Sequence, residues 1–89
     1  MIRRADGAMD ARVDGALVLL SPADFSYHGV DAVGARVWEL LAEPRTEDQL
    51  VEVLVGEFDV EPAQCRADLE PFLAHMARIG VLELGPSRG

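Results

Sequence analysis

The sequence predicts a small α+β domain in which a three-stranded antiparallel sheet precedes three helices, in the order β-β-β-α-α-α. Two observations lead to this fold class. The amino-terminal part has two strand-like runs separated by Asp14-Gly15, and the pattern changes from strand-like to helical within residues 25–41. With 89 residues, the chain is expected to form one domain, residues 1–89, with an ordered core over about residues 8–84 and frayed ends.

The first two strands are predicted on either side of a tight turn. Residues 8–13 alternate apolar and polar side chains, and residues 16–20 are an aliphatic run. The intervening Asp14-Gly15 favours a type I′ turn, which needs positive φ at both central residues. A third strand is predicted over residues 26–30, and it lacks the Lys or Pro that often protects a sheet edge. This third strand is therefore the edge to consider as a binding site.

The first helix is predicted over about residues 32–42, with Asp31 as its N-cap and Pro44 beyond its end. Gly34, in the first turn, is expected to allow a close backbone approach. Trp38 lies beside the apolar stripe, and we interpret it as a core anchor rather than a ligand-stacking residue. The residues predicted to form the core face are Val33, Val37, Leu40 and Leu41.

The second and third helices carry clear start signals. Thr46 and Gln49 have the spacing of a capping box, and Pro62 suits the first position of a helix over about residues 62–79. Pro71 predicts a kink or a break in this third helix, since a proline there removes a hydrogen bond and crowds the preceding turn. Residues 81–84 either complete the core or pair as a short wing. The apolar stripe of the third helix comprises Cys65, Leu69, Phe72, Leu73, Met76 and Ile79.

Composition excludes several classes of function. The net charge is −8, from 16 acidic residues against 8 arginines and no lysine, so the chain is not expected to bind nucleic acid. The longest apolar run, residues 16–20, is far too short to span a membrane, and the amino-terminal residues lack the continuous apolar region typical of a signal peptide. A cytoplasmic protein without a membrane partner is the expectation. The single Cys65 cannot form an internal disulfide.

No arrangement of residues indicates an enzyme. Cys65 and His75 share the third helix but stand ten positions apart, about 15 Å along its axis, so they cannot form a catalytic dyad. Neither His28 nor His75 has a Cys or His neighbour at metal-ligand spacing. The acidic residues within 57–61 lack the length of a calcium loop. We therefore expect a non-catalytic protein with no metal and no cofactor.

Five short segments together resemble a known family. They are Tyr27-His-Gly-Val-Asp31, Gly34-Ala-Arg-Val-Trp38-Glu-Leu-Leu41, Phe58-Asp-Val60, Phe72-Leu73 and Ile79-Gly-Val-Leu82. With these segments the chain is similar to PqqD-like proteins, the recognition elements that bind precursor peptides in pathways making ribosomally synthesised, post-translationally modified peptides. The resemblance spans roughly residues 14–84. The chain departs from the family at Asp31, where asparagine is common, and at Pro71, which interrupts the third helix.

The resemblance implies a winged helix-turn-helix-like fold and a peptide ligand. In this family, the leader region of a precursor adds as a strand to the edge of the third strand and packs against the third helix. Mapped onto this chain, the implied strand residues are Ser26, Tyr27, His28, Gly29 and Val30. The implied helix residues are Asp68, Leu69, Phe72, Leu73 and Met76. On this basis, Leu73→Asp is expected to weaken leader binding more than it disturbs folding.

The family also suggests partners. A free-standing chain of this kind looks most like the leader-binding protein of a lasso-peptide pathway, which works with a leader peptidase and an ATP-dependent cyclase. One alternative is a PqqD-type chaperone for a radical enzyme in quinone-cofactor synthesis. Two others are a winged-helix DNA-binding regulator and a small module whose acidic surface docks a basic partner.

Overall fold

The computed structural model describes residues 1–85 and contains two small antiparallel sheets and three helices. The α+β fold class is confirmed, because a three-stranded sheet precedes the three helices as predicted. The predicted first, second and third strands are β2, β3 and β4. The elements in chain order are β1 (Arg3–Arg4), β2 (Met9–Val13), β3 (Ala16–Leu20), β4 (Tyr27–Gly29), α1 (Ala32–Leu40), α2 (Glu47–Phe58), α3 (Pro62–Arg78) and β5 (Leu82–Glu83).

The amino terminus is packed rather than frayed, which corrects the expectation for the first seven residues. β1 pairs with β5, so the short wing that was one of the two alternatives forms, with a partner strand from the opposite end of the chain, and Val81 and Leu82 also join the core. Ile2 is only 7% exposed and belongs to the core. Arg4 donates to the carbonyl oxygen of Trp38 at 2.6 Å, and its guanidinium lies 4.2 Å from the centre of the indole ring. Residues 86–89, also expected to fray, lie outside the described residues.

The three-stranded sheet has the order β2-β3-β4. Its hairpin turn is of the predicted kind, since Asp14 has φ of 53° and Gly15 has φ of 83°. The β3–β4 connection is held by Ser21, whose hydroxyl donates to the carbonyl of Ile79 at 2.6 Å and accepts from the amide of Ala23 at 3.2 Å. Because β3 lies between the other two strands, β2 and β4 are the two edges of this sheet within residues 1–85.

α1 begins at the predicted cap, where the Asp31 carboxylate accepts the Gly34 amide at 2.8 Å. Trp38 is 4% exposed and its indole N–H donates to Asp10 at 2.5 Å, so its interpretation as a core anchor is confirmed. Val33 is 39% exposed, and its assignment to the core face is wrong. It lies in the first turn, where α1 borders an open cleft between the helices.

The capping box of α2 forms as predicted. The backbone N–H of Gln49 donates to the Thr46 hydroxyl at 3.1 Å, and the backbone N–H of Thr46 donates to the side-chain oxygen of Gln49 at 2.9 Å. α3 runs without interruption through Pro71, so the predicted break is wrong, while the kink stays a prediction. Pro71 is exposed, and its ring faces water rather than the packed core.

The core lies between the sheet and the three helices. Its least exposed large side chains are Leu19, Val37, Leu41, Leu50, Leu54 and Val81. Sheet and helices thus bury one shared interior, and open clefts remain between β4, α1, α2 and α3. No helix within residues 1–85 has the length and apolar character needed to cross a lipid bilayer.

Candidate functional site

An open groove of about 470 Å³ runs between β4 and α3. It brings the predicted edge strand next to the predicted helix, which are far apart in the sequence. The groove is lined by Tyr27, His28, Gly29, Val30, Asp31, Phe72, His75 and Met76.

The backbone of β4 presents hydrogen-bonding groups to this open side. Just outside β4, the carbonyl of Ser26 accepts from the amide of Ser21, the residue after β3, at 3.0 Å, and the amide of Val30 donates to the carbonyl of Leu17 in β3 at 3.1 Å. Backbone groups alternate in direction along an antiparallel strand, so the N–H and C=O groups of His28 also face β3. The N–H and C=O groups of Tyr27 and Gly29 consequently face away from the sheet.

Side chains of β4 alternate in the same way. His28 points towards α3, where its ring centre lies 6.2 Å from that of His75 in an edge-on arrangement. The Nε2 atom of His28 is 2.7 Å from the Ser26 hydroxyl, which in turn donates to Asp24 at 2.7 Å. These hydrogen bonds from Ser26 lower the pKa of Asp24 and keep its carboxylate charged. Tyr27 points to the other face and is 76% exposed.

A second cleft of about 440 Å³ continues the groove past Phe72 and Asp31, which line both. It lies between α1, α2 and α3 and includes Leu69 and Asp68. Phe72 sits so close to the first turn of α1 that a Cβ atom at Gly34 would lie only 3.0 Å from its ring. The close approach expected at Gly34 is therefore confirmed.

Cys65 lines the second cleft but has little reactivity to offer. Its side chain is 6% exposed, and burial raises the pKa of the thiol. A thiol with a raised pKa carries less of the nucleophilic thiolate.

All five predicted strand residues, Ser26 to Val30, lie on β4 or its flanks, and Phe72 and Met76 lie in the groove beside them. Asp68 and Leu69 lie one step away in the second cleft. Leu73 does not join them. It is 4% exposed and lines a different cleft with Ile2 and Glu47, so Leu73→Asp is now expected to disrupt folding first.

The placement of Leu73 follows from helix periodicity. Leu69, Leu73 and Met76 have the i, i+4, i+7 spacing of one face and are all buried in the core. The adjacent face, one position earlier, carries Asp68 and Phe72 together with His75, which the sequence reasoning missed as a groove residue. The sequence signal for His75 was that Asp68, Phe72 and His75 also have the i, i+4, i+7 spacing, each one residue before Leu69, Leu73 and Met76.

Two arginines near these clefts, Arg36 and Arg66, are engaged with carboxylates. Arg36 donates to both carboxylate oxygens of Glu57, at 2.8 and 2.9 Å, and this lowers the pKa of Glu57. Arg66 on α3 donates to Asp48 at 2.7 Å. Asp31 and Asp68 remain at the cleft walls. The site therefore combines an apolar floor with an acidic border.

These features define a class of protein, a small α+β domain that offers an open strand edge beside a helix. A family profile described as coenzyme PQQ synthesis protein D (PqqD) matches residues 16–82, and the chain belongs to this family. No curated protein sequence matches the chain.

Solved structures show the same fold. TbiB1 in complex with the TbiA(beta) leader peptide has a TM-score of 0.81 and 33% identity, over 91% of this chain and 94% of that one. Lasso peptide synthetase B1 complexed with the leader peptide has a TM-score of 0.79 and 18% identity, over 92% and 96%. The PqqD truncation of Methylobacterium extorquens PqqCD, a stand-alone recognition element, has a TM-score of 0.76 and 28% identity, over 92% and 87%.

Proposed function

We propose that this chain is a non-catalytic adaptor that binds the leader region of a ribosomally made precursor peptide. The leader adds as a strand to β4 and packs against α3. The observation that carries the proposal is the outward direction of the Tyr27 and Gly29 backbone groups, next to a groove walled by Phe72 and His75. Family membership and the likeness to TbiB1, solved with a leader peptide, support it.

The physical basis of this binding is strand addition. Hydrogen bonds to Tyr27 and Gly29 supply affinity for any extended peptide, and pockets for alternate side chains supply specificity. The apolar lining by Phe72 and Met76 suits one or more apolar leader side chains. The acidic border formed by Asp31 and Asp68 suits a leader that carries a basic residue nearby.

We place the adaptor in a lasso-peptide pathway, where it presents the leader to a leader peptidase and to a cyclase. The likeness to TbiB1, solved with a leader peptide, supports leader binding, and the chain shares its fold with lasso peptide synthetase B1. A PqqD-type chaperone for a radical enzyme is the second candidate, supported by the 28% identity to the Methylobacterium extorquens recognition element.

A DNA-binding regulator fits the surface poorly. A recognition helix needs free cationic or amide side chains, but Arg66 of α3 is held by Asp48 and Glu47 at 2.7 and 3.3 Å. With a net charge of −8, attraction to phosphate is weak. A specific complex in a gel shift at low salt would favour this alternative instead.

The direct test is a fluorescence anisotropy titration with the labelled leader peptide encoded beside this chain. We expect saturable binding with a dissociation constant at or below tens of micromolar. A scrambled peptide of the same composition is the control and is expected to bind at least about tenfold more weakly, because it keeps the backbone hydrogen bonds but loses the fit of its side chains. No binding of the leader in that concentration range would contradict the proposal.

A further inference from the structure

Three basic side chains lie together at the groove between β4 and α3. The rings of His28 and His75 both line the groove, with their centres 6.2 Å apart and their planes at 80°. Arg78, three residues beyond His75 on α3, donates to the Nδ1 atom of His75 at 3.5 Å. Within residues 1–85, Arg78 forms no ion pair with a carboxylate. We call His28, His75 and Arg78 the basic cluster.

The hydrogen bonds of Ser26 define which nitrogen of His28 carries the proton. The Asp24 carboxylate can only accept, so the Ser26 hydroxyl directs its proton to Asp24, at 2.7 Å. The Ser26 oxygen must therefore accept from the Nε2–H of His28, also at 2.7 Å. The Nδ1 atom of a neutral His28 then carries no proton, and it becomes a second N–H donor only when the ring is protonated.

His75 carries its proton on the same nitrogen for a different reason. A guanidinium can only donate, so the Nδ1 atom of His75 accepts from Arg78 and the proton of the neutral ring is on Nε2. Because His75 and Arg78 are both exposed, their N–H groups are accessible to a ligand. The basic cluster thus offers donors from α3 at all times and a further donor from β4 only when His28 is protonated.

The carboxylates that flank β4 accept hydrogen bonds from the chain itself. Asp24 accepts two hydrogen bonds within its own turn, and Asp31 caps α1. On α3, Asp68 lies in the second cleft. On β3, the residue opposite His28 is Leu19, which is buried and uncharged. The basic cluster therefore suits a carboxylate that is supplied by the ligand.

We propose that the basic cluster selects a leader with an Asp or Glu at the position that faces it, and that leader binding places a proton from solvent on His28. The inference rests on the proposed leader-binding function. The leader carboxylate accepts from His75 and Arg78, and its negative charge favours the protonated form of His28, whose Nδ1–H is then a further donor. A hydroxyl of a leader Ser, Thr or Tyr would need no such proton, because it can donate to neutral His28 and accept from His75.

The first test is the pH dependence of leader binding, measured by fluorescence anisotropy with the labelled leader peptide encoded beside this chain. Uptake of one proton can change an affinity up to about tenfold per pH unit, so we expect wild-type protein to bind at least about fivefold more tightly at pH 6 than at pH 8. In His28→Gln, whose amide does not titrate, this ratio should fall below about twofold. The matched control, Ala74→Gln, places the same residue at an exposed position of α3 outside the groove and should keep the wild-type ratio.

The second test identifies the leader residue. Each Asp and Glu of the leader is replaced singly by Asn or Gln, and the titration with wild-type protein is repeated at both pH values. We expect one replacement to weaken binding at pH 6 at least about tenfold and to remove most of the pH dependence. This test needs no protein variant, so it decides the question even if circular dichroism shows that His28→Gln does not fold.

The inference is overturned if wild-type binding is equally tight at both pH values, or if folded His28→Gln keeps the wild-type ratio. It is also overturned if the leader has no Asp or Glu whose replacement has the expected effect. Tighter binding at pH 8 would overturn it in favour of a leader hydroxyl. Failure of the wild-type protein to bind leader at either pH would instead refute the proposed function itself.

Discussion

The two edges of the β2-β3-β4 sheet differ in how they are protected. On β2, the N–H and C=O groups that point away from β3 belong to Asp10 and Arg12. The side chains of these two residues turn inward and contact Trp38 and Glu39. Inward-pointing charged residues are a common way to prevent strand addition at an edge. β4 offers Tyr27-His28-Gly29, without an acidic or basic side chain other than the histidine.

The surroundings of the two edges differ as well. Beside β4, Phe72 and His75 of α3 form the wall of an open groove. Beside β2, the inward side chains contact α1, and the carboxylate of Asp10 is occupied by an indole N–H. β4 thus combines free backbone groups with a side-chain wall, and the proposed leader site requires both. Gly29→Pro, Arg12→Pro and Asp10→Ala test this difference between the edges, and Asp24→Ala tests the turn that precedes β4.

Gly29→Pro is expected to have the largest effect. The Gly29 N–H faces away from β3, so a proline there removes no hydrogen bond of the sheet and is tolerated as on other edge strands. It removes one bond to the leader and places its ring where the leader backbone approaches. We expect leader binding to weaken at least about thirtyfold, or about 2 kcal/mol, in the anisotropy titration.

The matched control for Gly29→Pro is Arg12→Pro, which places a proline at an outward amide of β2. Its leader affinity is expected to stay within about twofold of wild type, because the β2 edge does not pair with the leader. Equal losses for the two prolines would show that the two edges are not different in the way described.

Asp10→Ala is expected to destabilise the fold without changing leader affinity. It removes the carboxylate that accepts from Trp38 and leaves the indole N–H of a 4% exposed side chain without its partner. The expected loss is about 1 to 2 kcal/mol in the free energy of unfolding, measured with urea. A loss of leader affinity in a variant that is still folded would contradict the claim that the β2 edge takes no part in leader binding.

Asp24→Ala is expected to have the smallest effect, and its effect depends on pH. Hydrogen bonds from Ser26 lower the pKa of Asp24 in the folded chain. The charged Asp24 carboxylate therefore stabilises the fold fully at pH values above the ordinary carboxyl pKa. This stabilisation is lost as the pH falls through the lowered value. The thermal midpoint of the variant should therefore lie slightly below wild type at neutral pH, and the gap should close below about pH 4. A gap of the same size in acid would contradict this role for the carboxylate.

Local signals predicted most of the fold. The Asp14-Gly15 turn and the Thr46 capping box depend on residues that are neighbours in sequence, and both form as predicted. The pairing of β1 with β5 was missed, since it joins two-residue strands from opposite ends of the chain. Strands that short carry no periodicity that a sequence pattern can show.

For the candidate site, the sequence predicted the strand edge but not which α3 side chains lie beside it. The absence of protective side chains on β4 is visible in the sequence and pointed to that edge. The apolar stripe of α3 shows which residues are apolar but not which neighbour each one meets. Leu73 was therefore expected in the groove but lies in the core, while His75 lines the groove.

The central claim, that a leader strand pairs with β4 and not with β2, is tested most directly by residue-resolved amide hydrogen exchange. In the free protein, the Tyr27 and Gly29 amides should exchange quickly because they face solvent, as should those of Asp10 and Arg12. On addition of saturating leader peptide, we predict strong slowing at Tyr27 and Gly29 and none at Asp10 and Arg12. Slowing at the β2 amides, or unchanged exchange at Tyr27 and Gly29 in a saturated complex, would contradict the claim.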